Sequence, residues 1–414
     1  MTNRMRKIIL ALCLLVGTVA QAQVRPELAK SPPMGWNSWN WFGKEAINEQ
    51  MIREIIDAMA SSGLRDAGYN YVVVDGGWRD SKLGPNGELL VHPAKFPGGM
   101  KALADYAHSK GLKFGLHTTP GSHDCGMDKV GGWGLEEVHV KQFKDWGIDF
   151  VKLDKCRFSL DEQPNYPRND PRWKKGWESE PKNLQTAYAK WSKLMKESGR
   201  DMVLSASAYQ FFPWYPQLTN LGRTTGDIKS KQSGGAIFDS EKPGSVMAIV
   251  ERNNRHAAKA GNGYWNDPDM LVTGDQGLTQ EEQKAHFALW CLMSSPLILG
   301  NDPRVMTAQE KAIILNKEAI AINQDPTEQG KRIRQDGKAE VWAKKLKNGD
   351  YAVLLLNRDA QATQNITVNW TDLGLAGNKK LRDVYAAKNL TATKDKFSQS
   401  IPPRSGLFLV VQAK

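Results

Sequence analysis

The sequence predicts an α/β fold, a (β/α)8 TIM barrel followed by a C-terminal antiparallel β-sandwich. Three observations predict it. Short apolar runs ending in polar or small residues recur at roughly forty-residue spacing through the middle of the chain. Amphipathic stretches of helical period lie between them, which makes the strands parallel and the connections crossover helices. Beyond Pro326 the texture changes to β-rich alternation punctuated by hairpin turns.

Length supports this division, since 414 residues exceed what one hydrophobic core organises. Residues 1–22 read as a signal peptide: Arg4, Arg6 and Lys7 precede the apolar run IILALCLLVGTVA, which closes on Ala20-Gln21-Ala22, a small-x-small cleavage pattern. The run is short for a membrane span, and no second long apolar run follows. A secreted or periplasmic location with no membrane span is the expectation, and it leaves three cysteines in an oxidising compartment. Cys125 and Cys156 each follow a predicted strand, where two neighbouring loops come within stapling reach; Cys291 sits in the apolar helix FALWCLMSSP as a buried thiol.

The barrel is assigned to residues 23–328. Its clearest strands are YVVVDGG, KFGLHTT, DFVKLDK, DMVLSAS and SPLILGN, and less obvious ones before Trp36, at Thr224 to Ile228 and at Tyr264 to Asn266 complete eight. The stretches INEQMIREIIDAMASSGLRDAG and GGMKALADYAHSKG supply helices that end in Gly. A doubly wound sheet shares this alternation, but no G-x-G-x-x-G or G-x-x-x-x-G-K-[ST] follows the first strands, so nucleotide binding has no local support. Residues 329–414 are the β-sandwich, with Asp336-Gly337 and Asn348-Gly349 as its hairpin signals.

Composition narrows the function. Removing three signal-peptide cations lowers the formal net charge from +11 to +8, and the remaining Lys and Arg alternate with Asp and Glu, as on a solvated surface; no nucleic-acid partner is expected. Of the 14 Trp, many stand beside Gly, Asn and Asp, as in MGWNSWNWFG, DGGW and GYWNDPDM, a combination that suits stacking on sugar rings and bonding of their hydroxyls. Four strand ends, YVVVD, FVKLD, RTTGD and NDPD, deliver Asp75, Asp154, Asp227 and Asp269 to the rim where barrels keep their active sites. A lone Asp there more often makes a turn or a helix cap; four in register point to a site. With only 7 His and no paired spacing, neither His117 nor His123 argues for a metal, and no cofactor is expected. No G-x-S-x-G elbow is present. Two carboxylates in a Trp-lined pocket suit glycoside hydrolysis.

PPMGWNSWN, VVVD followed by Gly-Gly-Trp, KLDKC, RTTGDI, WNDPDML and AINQDP, in that order, resemble the secreted α-galactosidase and α-N-acetylgalactosaminidase family, glycoside hydrolase family 27. The likeness runs from about residue 31 to 326. It implies hydrolysis of a terminal α-linked sugar with retention, by double displacement, on a carbohydrate ending in α-galactose. It implies Asp154 as nucleophile and Asp227 as acid/base, Lys152 on sugar hydroxyls, Arg223 near the sugar's 2-position, Trp39, Asp75 and Asp269 at the ring, and a Cys125–Cys156 disulfide bracing the nucleophile loop. Asp154 must then stay charged while Asp227 is protonated when substrate arrives, with the two carboxyls about 5–5.5 Å apart.

Two departures bear on the sugar. Gly76 stands where the family usually has a second Asp, and the small Ser207 and Ala208 stand where larger residues face the 2-position, as in the branch accepting N-acetylgalactosamine. Galactose is the first expectation. N-acetylgalactosamine, β-L-arabinopyranose and glucose-configured sugars stay open, and a non-catalytic sugar-binding protein is the rival from outside enzymes.

Overall fold

A computed structural model of the protein describes residues 25–156, 182–391 and 394–413. The expected signal peptide at 1–22 lies outside them. Eight parallel strands form one sheet: β1 (Met34–Asn37), β2 (Tyr71–Val74), β3 (Lys113–Thr118), β4 (Phe150–Asp154), β5 (Val203–Ser207), β6 (Leu221–Arg223), β7 (Trp265–Asp267) and β8 (Leu297–Leu299). They are ordered β8-β1-β2-β3-β4-β5-β6-β7. The ring closes just past β7, where Leu271 bridges Leu299 in parallel and its N–H donates to the Ile298 carbonyl at 2.8 Å.

The period of two along each strand decides what the barrel holds. On β4, Val151 and Leu153 turn outward into the large core beneath the helices, whereas Phe150 turns inward. Inside, Tyr71, Val73, Phe150, Val203, Leu221 and Trp265 form a separate apolar cluster that plugs the amino end of the barrel. Two residues on from Phe150, Val203 and Leu221, the same inward face carries Lys152, Ser205 and Arg223; Asp154 and Ser207 follow on β4 and β5. The plug therefore leaves the carboxyl ends as the place where polar groups converge.

Two helices read from the sequence form as Glu49–Ser61, capped by Asn48 accepting from Met51 N, and Gly99–Ser109. A third, Gln280–Leu292, opens with a Thr279/Glu282 capping box and buries Cys291 as a free thiol. The expected sixth strand at Thr224 to Ile228 is displaced: β6 is Leu221–Arg223, and the chain then leaves the sheet. The β-branched pair that suggests a strand instead uses its hydroxyls locally, Thr224 Oγ1 donating to Asn253 Oδ1 at 2.8 Å and Thr225 Oγ1 to the Gly226 carbonyl at 2.9 Å. Of the four rim aspartates, only Asp154 is the last residue of its strand; Asp75 follows β2 directly, and Asp227 and Asp269 lie in the loops after β6 and β7.

The C-terminal part is a six-stranded antiparallel sheet, in the order Lys331–Asp336, Ala339–Lys345, Tyr351–Asn357, Ser405–Val411, Leu381–Asp383 and Lys388–Leu390, faced by the pair Gln364–Asn369 and Lys396–Ile401. Both faces of its central strands are buried. Val341, Val353, Leu355 and Leu409 pack with Ile366, Val368 and Phe397 of the small pair, while Trp342, Leu354, Leu356 and Phe408 join the same core as Phe287 and Trp290 of the barrel's Gln280–Leu292 helix. This two-sided burial is why YAVLLLN reads as a continuous apolar run. Lys344, buried at this junction, donates from Nζ to Ser294 Oγ and to the carbonyls of Ile322 and Asp325 at 2.6–2.8 Å.

Candidate active site

At the carboxyl end of β4, Asp154 is 5% exposed. Its Oδ1 accepts from the backbone N–H of Cys156 at 3.1 Å and from the hydroxyl of Tyr209 at 2.6 Å. Its Oδ2 lies 3.6 Å from Lys152 Nζ and 3.8 Å from His117 Nε2. Lys152 reaches the rim because it shares the inward face of β4, and it donates to Asp75 Oδ2 at 2.7 Å. Asn37, the last residue of β1, completes this side: its Nδ2 donates to Asp75 Oδ2 at 2.8 Å, and its Oδ1 accepts from Trp39 N at 2.8 Å, which sets the indole at the mouth.

Charge balance holds the cluster in place. Burial alone would raise the Asp75 carboxyl, but Lys152 and His117 hold it well below the usual carboxylate range. Burial works against the Lys152 ammonium too, yet Asp75 and Asp154 raise it above an ordinary lysine. Burial pushes the His117 imidazole down from its ordinary value, against the opposing pull of Asp75 and Asp154.

Across the mouth, Arg223 is the hub. Its Nη2 donates to Asp227 Oδ1 at 2.9 Å and lies 3.1 Å from Asp269 Oδ2, and its Nη1 donates to Ser207 Oγ at 3.5 Å. Asp227 is 64% exposed, so it stands at the opening rather than in the floor. Asp269, at φ 87°, fixes the loop that carries Asp227, because its Oδ2 accepts from Ile228 N at 2.8 Å. Burial, with Asp227 and Asp267 nearby, outweighs Arg223 and pushes Asp269 up to about 6. Ser207 is fully buried and directs its hydroxyl to Arg223; Asp269 is spent largely on Arg223 and backbone.

Two cavities flank Trp39. One, of about 500 Å3, is lined by Asp227, Lys229, Ser230 and Gln232. The other, also about 500 Å3, is lined by Gly76, Arg79, His92, Lys95, His117 and Asp124. Cys125 and Cys156 are disulfide-bonded, tying the loop after β3 to the residue two beyond Asp154. His117, Asp154, Cys125 and Cys156 bring ligand-type atoms within 4.8 Å of one another, but the two sulfurs are bonded to each other, and a histidine and a carboxylate make a poor metal set.

Sequence reasoning missed Tyr209, Asn37 and Asp267. Asn37 and Asp267 carry the signal used for the aspartates, a polar residue closing a strand. Tyr209 carries none: it stands two residues past β5 at φ 63°, and only that left-handed turn aims its hydroxyl at Asp154.

A closed parallel barrel with two acidic side chains, a lysine and an arginine assembled at the carboxyl ends of its strands defines a barrel hydrolase of the glycosidase class. Residues 31–169 and 171–325 match the family model "Alpha galactosidase A", and residues 336–411 match "Alpha galactosidase C-terminal beta sandwich domain". The chain is 38% identical over 383 residues to an alpha-galactosidase of Oryza sativa subsp. japonica, covering 91% of this chain and 83% of that protein. It is 38% identical over 362 residues to alpha-galactosidase A of Cellvibrio japonicus, covering 86% and 83%. Alpha-galactosidase I from Mortierella vinacea superposes with a TM-score of 0.81 at 31% identity, covering 94% of this chain and 99% of that one. The chain belongs to the α-galactosidase family, glycoside hydrolase family 27, and is a glycoside hydrolase.

Proposed function

We propose that the protein removes terminal α-linked galactose from oligo- or polysaccharides by double displacement with retention, using Asp154 as nucleophile and Asp227 as acid/base. The observation that carries this reading is the division of the two carboxylates. Asp154 is buried, anchored by Tyr209 Oη and Cys156 N, and faced by Lys152; Asp227 stands exposed on a loop, held from behind by Arg223.

In the first step Asp154 Oδ2, the oxygen not engaged by Tyr209, attacks the anomeric carbon, and Asp227 gives its proton to the departing glycosidic oxygen. The leaving portion then occupies the cavity that Asp227 lines. In the second step Asp227 takes a proton from water, which attacks the same carbon and frees Asp154. Lys152 and Asp75, paired at 2.7 Å, are placed to bind ring hydroxyls as donor and acceptor. Trp39 offers its face to the ring. Asp269 and Ser207 act by positioning Arg223, and no bound metal or other cofactor is called on.

The Cys125–Cys156 bond suits a secreted or periplasmic protein. Among the described residues no helix is long and apolar enough to cross a membrane. The test is NMR of fresh hydrolysate of an aryl α-galactoside. The α-anomer of galactose should appear first, and Asp154→Asn should abolish turnover. First appearance of the β-anomer, or wild-type turnover in the variant, would overturn the assignment.

A further inference from the structure

His117, Asp154, Cys125 and Cys156 are a poor metal set only while the two sulfurs are bonded to each other. Parted, they offer two thiolates, an imidazole and a carboxylate, which are the donors of a tetrahedral zinc site. Breaking one disulfide therefore changes what this corner of the active site can bind.

The distances suit such an ion. His117 Nε2 lies 3.8 Å from Asp154 Oδ2 and 3.9 Å from Cys156 Sγ. One donor atom from each of the four residues falls within 4.8 Å of all the others. The bond lengths of tetrahedral zinc set donor-to-donor edges of about 3.4–3.8 Å, so both edges from Nε2 need close by only a few tenths of an ångström. Cys125 and Cys156 both lie in loops, outside β3 and β4. Rotation about their Cα–Cβ bonds can part the sulfurs while the strands that carry His117 and Asp154 stay in place. No carboxylate claims Nε2, which stands beyond hydrogen-bond range of Asp154 Oδ2 and, at 4.0 Å, of Asp75 Oδ1.

Entry and charge are also provided for. His117 and Cys125 both line the cavity of about 500 Å3 beside Gly76, and Cys125 is exposed, so a small reductant and an ion can reach the sulfurs from that side. Two thiolates, the Asp154 carboxylate and a divalent ion sum to one negative charge. Lys152 Nζ, 3.6 Å from Asp154 Oδ2, balances it.

From this arrangement we propose that reduction of the Cys125–Cys156 bond creates a zinc site of Cys125, Cys156, His117 and Asp154, which withdraws Asp154 from the sugar and silences the enzyme until the ion is removed. A phosphine or dithiol reductant supplies two electrons and is itself oxidised, the sulfur–sulfur bond opens to two thiols, and each thiol gives its proton to solvent as it binds the ion. A chain in a reducing compartment that holds zinc is then inactive, and removal of the ion with re-formation of the disulfide restores it. The loss of activity rests on the nucleophile reading of Asp154 above; the binding of the ion does not.

The experiment reduces the full chain with a phosphine, removes the phosphine without air, and titrates Zn2+ for activity and Co2+ for absorption. The reduced chain should bind one ion, show thiolate-to-cobalt charge transfer, and lose kcat by about tenfold or more with zinc, with recovery on adding EDTA. The oxidised enzyme should do none of these. A Cys125→Ala/Cys156→Ala variant should show no charge transfer and no zinc inhibition; should it fail to fold, His117→Gln in the reduced chain should weaken zinc binding at least tenfold. Absence of charge transfer in the reduced wild-type chain overturns the inference, as does equal inhibition of the oxidised enzyme by zinc. Full binding with undiminished turnover upholds the site and overturns Asp154 as nucleophile. An oxidised enzyme that cleaves no α-galactoside overturns the galactosidase reading, and the cobalt spectrum still decides the metal site.

Discussion

Tyr209 Oη donates to Asp154 Oδ1 at 2.6 Å, and the same tyrosine ring lies under the Arg223 guanidinium, whose Cζ is 6.0 Å from the ring centroid. One side chain thus touches Asp154 and the arginine that holds Asp227. Burial and Asp154 raise the Tyr209 hydroxyl well above an ordinary phenol, so it acts as a donor throughout the working pH range. A hydrogen bond to a charged group is worth about 1.5–3 kcal/mol, and Tyr209→Phe should lower kcat about tenfold to a hundredfold. Because Tyr209 acts through Asp154, KM should change less than about threefold. A rise in KM with kcat intact would instead make Tyr209 a sugar contact.

Asp227 and Asp154 should separate by leaving group. An acid is needed most where the departing oxygen is basic, so Asp227→Asn should slow alkyl α-galactosides far more than dinitrophenyl ones. Steady-state rates across a leaving-group series measure this, and an equal loss along the series would remove Asp227 from the acid role.

Lys152 and Asp75 form a pair in which neither member tolerates loss of the other. Lys152→Met leaves Asp75 and Asp154 facing each other without their cation, and breaking a buried pair costs about 3–5 kcal/mol. Adding Asp75→Asn should return part of that stability in thermal or urea unfolding, although not the activity. A double variant less stable than Lys152→Met would show that packing, rather than charge, governs the pair.

Acid should weaken the fold through histidines that lie nowhere near the sugar. Burial pushes His286 down to about 3 and His139 down to about 4 from the ordinary imidazole value of 6.5. Between pH 6.5 and those values the unfolded chain binds protons that the folded chain refuses, so stability is lost as pH falls through that window. Each histidine contributes a slope of up to about 1.4 kcal/mol per pH unit. His286 Nε2 accepts from Val272 N at 3.1 Å, a contact that a Gln oxygen can replace. Denaturant melts of His286→Gln from pH 7 to 4 should show a shallower slope; an unchanged slope would exclude His286 as a contributor.

The sequence exposed the site unevenly, and for physical reasons. FVKLD announces itself because five residues of β4 alternate between a helix-covered face and the barrel lumen, so the inward set Phe150, Lys152 and Asp154 is readable by counting in twos. β6 has only three residues, too few for a period, and the polar Thr224 and Thr225 beyond it carry β propensity into what is a loop. Asp227 was therefore found by its motif but placed on the wrong kind of element. Tyr209 escaped because its role depends on a left-handed backbone turn at a residue type that seldom makes one. The hairpin turns at Gly337 and Gly349, both at positive φ, carry their geometry in their residue types and were plain from the outset.

The sheet of residues 331–411 shares its core with the Gln280–Leu292 helix through Trp342, Leu354 and Phe408, and it sends the Lys344 ammonium across the seam to Ser294 Oγ and the carbonyls of Ile322 and Asp325. Gene trimming at that border would bare the apolar face of the Gln280–Leu292 helix to water and leave three polar acceptors without their donor. The C-terminal sheet is a wall of the catalyst, and a shortened version meant for industry or crystallography would have to be re-surfaced along that helix before it kept its shape.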